Sequence, residues 1–164
     1  MKLWLVAIFL FTLVFSCKGQ DRDYSEVFPE NPNSLAVVDN SILFSTEENY
    51  ELADKLVTYG DKTTRQIVVV TVDSISPYNN IQKYANDLGS YWGVGEKNIN
   101  NGLVIVLSKP LKKVGIATGY GTEKVLTDSI CKQIIDRVMI PKFKNGNYFE
   151  GMDEGIDALI EAWK

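Results

Sequence analysis

A run of β-branched residues is the feature that most constrains the fold. Residues 67–72 are Ile-Val-Val-Val-Thr-Val, with Thr71 as the single polar member. A strand that faces water on one side alternates apolar and polar residues, so this near-continuous apolar run predicts a strand buried on both faces. Such strands belong to parallel-type sheets covered by helices. The run therefore predicts an α/β fold with this strand near the centre of its sheet.

The flanking patterns predict the rest of a small α/β domain. Three further strands are predicted at residues 35–38, 103–107 and 114–117. Four helices are predicted to start at Ser45, near Ile81, at Thr127 and at Asn147. Ser45 with Glu48 forms a capping box, Gly60 is expected to end that helix, and Asn147 with Glu150 is expected to cap the last one. The link between the last two strands is too short for a crossover, so they are predicted to form an antiparallel hairpin. These elements predict a three-layer αβα sandwich around a small mixed four-stranded sheet.

The N-terminus has the pattern of a bacterial lipoprotein signal. Lys2 is followed by an apolar run too short to span a membrane, which is typical of a signal-peptide core. Val14-Phe15-Ser16-Cys17 resembles a lipobox, in which Cys17 takes the lipid. We expect a signal peptide at residues 1–16, a lipidated Cys17 with a polar tether at residues 17–34, and a domain at residues 35–164. This places the protein outside the cytoplasm, on the periplasmic side of a bacterial membrane or at the cell surface. The alternative is an ordinary secreted protein in which Cys17 is incidental.

Composition excludes several classes of function. The chain has no histidine, which excludes Ser-His-Asp and Cys-His catalysis and every histidine-ligated metal site. Its net charge is −4 and it has no dense lysine or arginine stripe, so we expect no nucleic-acid partner. No nucleotide cofactor is expected. Cys131 and Arg137 have the Cys-x5-Arg spacing of cysteine phosphatases, but the motif lies within a predicted amphipathic helix, where a buried cysteine is the better interpretation.

Acidic and amide side chains near the predicted strand ends form a candidate metal site. The candidates are Asp39, Asp73, Asn100, Glu123 and Asp128. Ligands of open α/β sheets bind outside the carboxyl ends of the strands, so these residues are expected to converge on one acidic rim. Oxygen ligands alone favour Ca²⁺ or Mg²⁺ and not Zn²⁺. The alternative is that they are helix caps and turn residues.

A glycine-rich turn forms a candidate ligand site. Gly119, Tyr120 and Gly121 follow a predicted strand and precede a helix. Glycines at such a position permit tight turns and expose backbone N–H groups to a ligand. The alternative is a plain strand-to-helix turn.

Several motifs, in order and spacing, carry a resemblance that covers nearly the whole domain. They are Val38-Asp39, Leu43-Phe44-Ser45-Thr46-Glu47-Glu48, Gln66-Ile67-Val68-Val69-Val70-Thr71-Val72, Trp92-Gly93-Val94-Gly95, Asn101-Gly102-Leu103, Gly119-Tyr120-Gly121-Thr122-Glu123, Leu126-Thr127-Asp128, Pro141-Lys142-Phe143 and Gly146-Asn147-Tyr148. With these motifs the domain resembles the TPM-domain family. The resemblance implies an αβα fold and an extracytoplasmic setting. It implies no single activity: a plant relative is regarded as an acid phosphatase, some members bind calcium, and others assist assembly or repair of membrane complexes. The family usually has Asp where this chain has Asn100, which weakens any metal or proton-transfer role there.

Two functions remain open from the sequence. The first is a membrane-tethered module that binds envelope membrane proteins for assembly or quality control and holds calcium at its acidic rim. The alternative is an enzyme, a divalent-metal-dependent acid phosphatase, whose bound metal ion would activate water.

Overall fold

The computed structural model describes residues 24–164, and the predicted signal peptide and Cys17 lie outside them. Within this range four strands form one sheet in the order β1-β2-β3-β4. The strands are β1 (Val37–Asp39), β2 (Gln66–Thr71), β3 (Gly102–Ser108) and β4 (Lys113–Thr118). β1, β2 and β3 are parallel, whereas β4 pairs with β3 in the antiparallel sense. The predicted mixed sheet and its terminal hairpin are confirmed.

Helices cover both faces of the sheet. The described residues contain α1 (Thr46–Thr63), α2 (Ile81–Trp92), α3 (Tyr120–Glu123), α4 (Asp128–Ile134), α5 (Ile140–Lys144) and α6 (Tyr148–Ala162). A π-helical turn, Ile135–Met139, joins α4 to α5. The short α3 and the π-helical turn were not predicted, because four residues are too few to show helical periodicity and the π-helical turn continues the apolar pattern of α4.

Helix capping follows the sequence at some ends and departs from it at others. Ser45 and Glu48 make the predicted capping box of α1. The prediction that Gly60 ends α1 is wrong: the helix continues to Thr63, and Thr64 takes the left-handed conformation with φ 62°. The side chain of Asn147 makes no capping bond to the backbone of α6, so that prediction is also wrong. It donates instead to a carboxylate oxygen of Glu150 at 3.2 Å.

Alternate residues of the strands supply the two halves of the core. Ile67, Val69, Leu103 and Ile105 belong to a cluster with apolar residues of α1, α4 and α6. Val68, Val70, Val104 and Val106 belong to the opposite cluster, with α2. The burial of β2 on both faces confirms the central strand and the three-layer sandwich.

The N-terminal part of the described chain packs on α2. Phe28, within the segment predicted as a tether, is only 4% exposed and lies 5.1 Å from Tyr84 between ring centroids. Tyr24 stacks on Phe28 at 5.3 Å. Phe28 therefore belongs to the core of the domain, with Tyr24 and Val27 packed against the same cluster.

Candidate functional site

The predicted acidic residues lie at two opposite edges of the sheet. Asp39 ends β1 and Asp73 follows β2, so both lie at the edge formed by the carboxyl ends of the parallel strands. Thr118, at the end of the antiparallel β4, pairs with Leu103 at the start of β3. The turn that follows β4 therefore lies at the other edge, together with Asn100. The prediction of one rim formed by Asp39, Asp73, Asn100, Glu123 and Asp128 is wrong, because one antiparallel strand reverses the direction of the chain.

The carboxylate of Asp39 accepts hydrogen bonds from several groups within the domain. It accepts bonds from the backbone N–H groups of Leu43 at 3.0 Å and Phe44 at 2.8 Å. It also accepts bonds from the hydroxyl of Thr71 and, at 3.4 Å, from the amide of Asn49. Four donors thus fix the loop between β1 and α1 onto the end of β2. This is the turn role that the sequence left open for Asp39.

The glycines of the 119–121 turn are required by close backbone packing. A Cβ on Gly119 would overlap the carbonyl oxygen of Asn100, and a Cβ on Gly121 would overlap that of Ile99. The N–H groups of Gly119 and Gly121 donate to the carbonyl oxygens of Gly102 at 2.9 Å and Asn100 at 3.0 Å. These two N–H groups are therefore used within the fold, which favours the structural interpretation of both glycines.

Asn100 supplies the other half of this junction. It has a positive φ of 52°, a conformation that asparagine tolerates better than most residues. Its carbonyl oxygen accepts bonds from Gly121 N–H and, at 3.3 Å, from Thr122 N–H. The hydroxyl of Thr122, which is fully buried, donates to the carbonyl of Gly102 at 3.0 Å. The loop before β3 and the turn after β4 are thus held together by their backbones.

A groove of about 770 Å³ lies beside this junction, and we call it the α2–α3 groove. Its lining includes Gln82, Asn86, Ser90, Lys97, Asn100, Gly119, Tyr120, Glu123 and Asp128. Five of the predicted site residues are among them: Asn100, Gly119, Tyr120, Glu123 and Asp128. Asp39 and Asp73 are not.

The two walls of the α2–α3 groove come from different helices: α2 forms one, and α3 with the start of α4 forms the other. Gln82, Asn86 and Ser90 are four residues apart on α2, so they share one face of that helix. These three residues were not predicted as site residues, although their four-residue spacing is visible in the sequence. Glu123 lies in α3, and Asp128 is the first residue of α4, whose N-cap is Thr127. Both acidic side chains are exposed at the surface of the groove.

Tyr120 is the most exposed aromatic side chain of the described chain, at 81%. Val125, five residues after Tyr120, is 40% exposed. Ile99, whose carbonyl oxygen lies against Gly121, is 52% exposed. Three large apolar or aromatic residues are thus exposed at or next to the junction that holds the backbone of Tyr120.

The chemistry available here is limited. Among residues 24–164, no group of three or more Asp, Glu or Cys side chains is placed to hold a metal ion. Cys131 is buried in α4, and burial, with the nearby charge of Asp128, raises the pKa of its thiol to about 11. A thiol in that state is a poor nucleophile at neutral pH. The rejected Cys-x5-Arg motif is thus a core cysteine in this fold.

The match to known proteins is decisive for the family. The model of the TPM domain matches residues 37–162. The chain belongs to the TPM-domain family. No curated protein matches the chain.

Solved structures show the same TPM fold. The N-terminal domain of a protein from P. gingivalis, determined in solution, is 34% identical, with a TM-score of 0.71, over 77% of this chain and 80% of that one. The N-terminal domain of a Corynebacterium glutamicum protein is 14% identical, with a TM-score of 0.62, over 84% and 87% of the two chains. The BA42 protein from Bizionia argentinensis is 20% identical, with a TM-score of 0.63, over 74% and 86%. The last two likenesses concern the fold alone.

None of the helices within residues 24–164 is both long and apolar enough to cross a membrane.

Proposed function

We propose that this TPM-domain protein is a membrane-tethered lipoprotein that binds other envelope proteins through the α2–α3 groove, as an assembly or quality-control module. The observation that carries the proposal is Tyr120, which projects 81% exposed from a rigid backbone junction at this groove. Tyrosine is enriched among residues that dominate binding energy at protein interfaces. Its two side-chain torsions cost little entropy when they become fixed in a complex.

The junction supports binding because it holds the backbone of Tyr120, the proposed anchor residue of the interface, in place before a partner binds. Gly119 and Gly121 permit a backbone contact that fixes the main chain on both sides of Tyr120. A preorganised anchor loses less conformational entropy on binding than a mobile one does. This explains how one exposed tyrosine contributes to affinity.

The polar lining favours a segment of protein as the ligand. On one wall Gln82 Nε2 donates to Asn86 Oδ1 and to the carbonyl of Ile116, which leaves Gln82 Oε1 as an acceptor and Asn86 Nδ2 as a donor for a ligand. Glu123 and Asp128 offer carboxylates on the other wall. Side-chain amides pair with both N–H and C=O groups of a peptide backbone. The two carboxylates favour a partner segment that carries lysine or arginine.

The membrane tether is supported by the sequence alone. The lipobox-like context of Cys17 predicts a mature protein that begins with an acylated cysteine. Mass spectrometry of the membrane-extracted protein tests this prediction. Release of the Cys17→Ala variant from the membrane is expected, whereas a mature chain that starts after Cys17 would refute the anchor.

Photo-crosslinking in cells tests the groove. A photoreactive phenylalanine analogue replaces Tyr120 in one variant and Tyr50 in the control, since Tyr50 is 74% exposed on α1 and does not line the groove. We expect discrete crosslinked products from position 120 that weaken when Asn86, on the opposite wall, is changed to Ala. Equal products from both positions, or products insensitive to Asn86→Ala, would contradict the proposal.

Calcium binding and phosphatase activity form the second candidate, because Glu123 and Asp128 line the same groove as Asn100. These oxygens fit a hard cation such as Ca²⁺ or Mg²⁺, but calcium takes six to eight ligands. Two carboxylates and one amide therefore imply weak affinity, on the order of 10⁻⁴ M or weaker. A cation bound there would supply a means of activating water for phosphomonoester hydrolysis.

One pair of variants separates the two candidates. Glu123→Gln is compared with Glu47→Gln, which lies in the first turn of α1 and outside the groove. Calorimetric titration with Ca²⁺ and a phosphomonoester assay with Ca²⁺ or Mg²⁺ are run on both. Metal-dependent hydrolysis that only Glu123→Gln abolishes would favour the enzyme. If millimolar Ca²⁺ or Mg²⁺ produces neither calorimetric heat nor phosphomonoester hydrolysis, the binding module remains as the proposed function.

A further inference from the structure

A corner of the domain far from the α2–α3 groove concentrates positive charge on an acidic protein. Residues 109–113 and 140–149 together contain five lysines and no Asp or Glu, although the chain has a net charge of −4. The side-chain ammonium of Lys109 lies 5.2 Å from the ring centroid of Tyr148, so the fold brings the two segments together. Tyr148 in turn stacks on Phe143 at 5.5 Å.

Most of these lysines have no acidic partner in the part of the chain that the structure describes. Lys142 pairs with Glu150 and Glu154. In residues 24–164 no ion pair is formed by Lys109, Lys112, Lys113 or Lys144. All four are exposed. We call this surface, together with Leu111 and Tyr148, the basic corner.

The tip of the β3–β4 turn adds an apolar contact. Leu111 is 39% exposed, between Pro110 and Lys112. Lys112 has a positive φ of 51°, and its N–H donates to the carbonyl of Lys109 at 3.1 Å, so the turn is tight. A tight turn presents Leu111 outward with lysines on both sides.

We propose that the basic corner docks on the headgroups of an anionic phospholipid bilayer, with Leu111 at the level of the headgroups. Lysines near an anionic membrane surface are each worth about fivefold in affinity, and apolar side chains between them enter the interface. A protein partner fits less well, because a stable protein interface takes about 800 Å² and 20–30 residues on each side. The basic corner is one turn and the neighbouring end of a helix. Asp73, at the same edge of the sheet, is a carboxylate that works against this docking, so the affinity is modest.

This docking would set the orientation of the domain. The basic corner lies at the end of β3, and the α2–α3 groove lies at its start. A strand of this length separates its two ends by roughly 20 Å. The groove therefore faces away from the bilayer, toward partners that project from it. The orientation argument rests on the proposed function of the groove, whereas membrane docking does not.

Vesicle co-sedimentation tests the docking on the domain without its lipid anchor, residues 24–164. All core residues named above lie in this range, and the 34% identical relative was determined as an isolated domain. The vesicles are phosphatidylcholine alone or with about 30% phosphatidylglycerol. The variant Lys109→Gln/Lys112→Gln/Lys113→Gln is compared with Lys97→Gln/Lys124→Gln/Lys132→Gln, which removes the same charge elsewhere, and thermal melts check that both are folded.

We expect binding to the anionic vesicles only, weaker at high salt, and lowered roughly a hundredfold by the first triple variant and much less by the second. Equal binding to neutral vesicles, an equal loss in both triple variants, or no binding to anionic vesicles would overturn the proposal. The proposal would also be overturned if an acidic envelope protein bound the unmodified domain but not the first triple variant, while vesicle binding stayed at background. Groove crosslinking from position 120 is measured separately, so either proposal can fail alone.

A fluorescent label reports the orientation. A label on Leu111→Cys in a Cys131→Ser background is expected to be quenched by lipids that carry a quencher near the headgroup, and a label on Tyr120→Cys is not. Equal quenching at both positions would overturn the orientation in which the α2–α3 groove faces away from the bilayer.

Discussion

Replacing Asp39 by Ala should destabilise the TPM domain by an amount that calcium does not change. The carboxylate accepts four hydrogen bonds, two from the backbone N–H groups of Leu43 and Phe44. Hydrogen bonds to a charged group contribute about 1.5–3 kcal/mol each, and truncating the acceptor leaves its donors unpaired. The site is only partly buried, so water replaces some of this loss.

The expected loss is therefore about 2–4 kcal/mol, below the sum of four separate bonds. Domains of this size have a total stability of about 5–15 kcal/mol. The loss should lower the melting temperature by roughly 10 °C. Asp73→Ala, at the same edge of the sheet but exposed, should stay within about 0.5 kcal/mol of the unmodified domain.

Urea unfolding followed by circular dichroism measures both variants, in EDTA and in millimolar Ca²⁺. A structural role for Asp39 predicts the same loss in both buffers. If Asp39→Ala matches Asp73→Ala in EDTA and differs from the unmodified domain only when Ca²⁺ is present, Asp39 is a metal ligand and the network argument fails.

Three further predictions concern single residues. Gly121→Ala should cost more than about 2 kcal/mol, since its Cβ would overlap the carbonyl of Ile99, whereas Gly60→Ala within α1 should be neutral or stabilising; urea unfolding compares them. Cys131 should react with a thiol reagent at pH 8 far more slowly in the folded domain than in urea, and fast labelling of folded protein would contradict its burial. Burial lowers the pKa of Lys55, but its bonds to Asp153 and Asp157 raise that pKa by more. The stabilisation from this ion pair should therefore be present below pH 10.5 and disappear at higher pH, and unfolding titrations that show no such loss relative to Lys55→Met would refute it.

The sequence predicted the layers well because the buried faces of helices and strands determine the spacing of apolar residues along the chain. The continuous run of residues 67–72 identified the central strand, and the short link after β3 identified the hairpin. Helix ends were predicted less well. Gly60 was expected to stop α1, yet nothing in the fold requires a left-handed conformation there, and Thr64 takes it instead. Capping residues are favoured locally, but the packing of the whole helix decides where it ends.

The candidate site was predicted less well than the fold, for a geometric reason. The hairpin was correctly predicted as antiparallel, and that prediction already implied that β4 ends beside the start of β3. Residues 119–128 therefore had to lie at the edge opposite Asp39 and Asp73. The rule that ligands bind at the carboxyl ends of strands applies to parallel strands, and the prediction of one rim extended it to the antiparallel β4.

The same reversal places the two proposed sites at opposite edges of the sheet. At the edge where the parallel strands end, the carboxylate of Asp39 is hydrogen-bonded to its own loop, and the β3–β4 turn, at the same edge but two strands away, carries lysines. At the other edge, tight backbone packing holds the exposed Tyr120 at a groove that Glu123 and Asp128 also line. Had β4 been parallel, the acids and the glycine turn would have met at one rim, with the lysines elsewhere. The antiparallel strand keeps the α2–α3 groove and the basic corner a full strand length apart, which is the separation that the two proposed docking sites require.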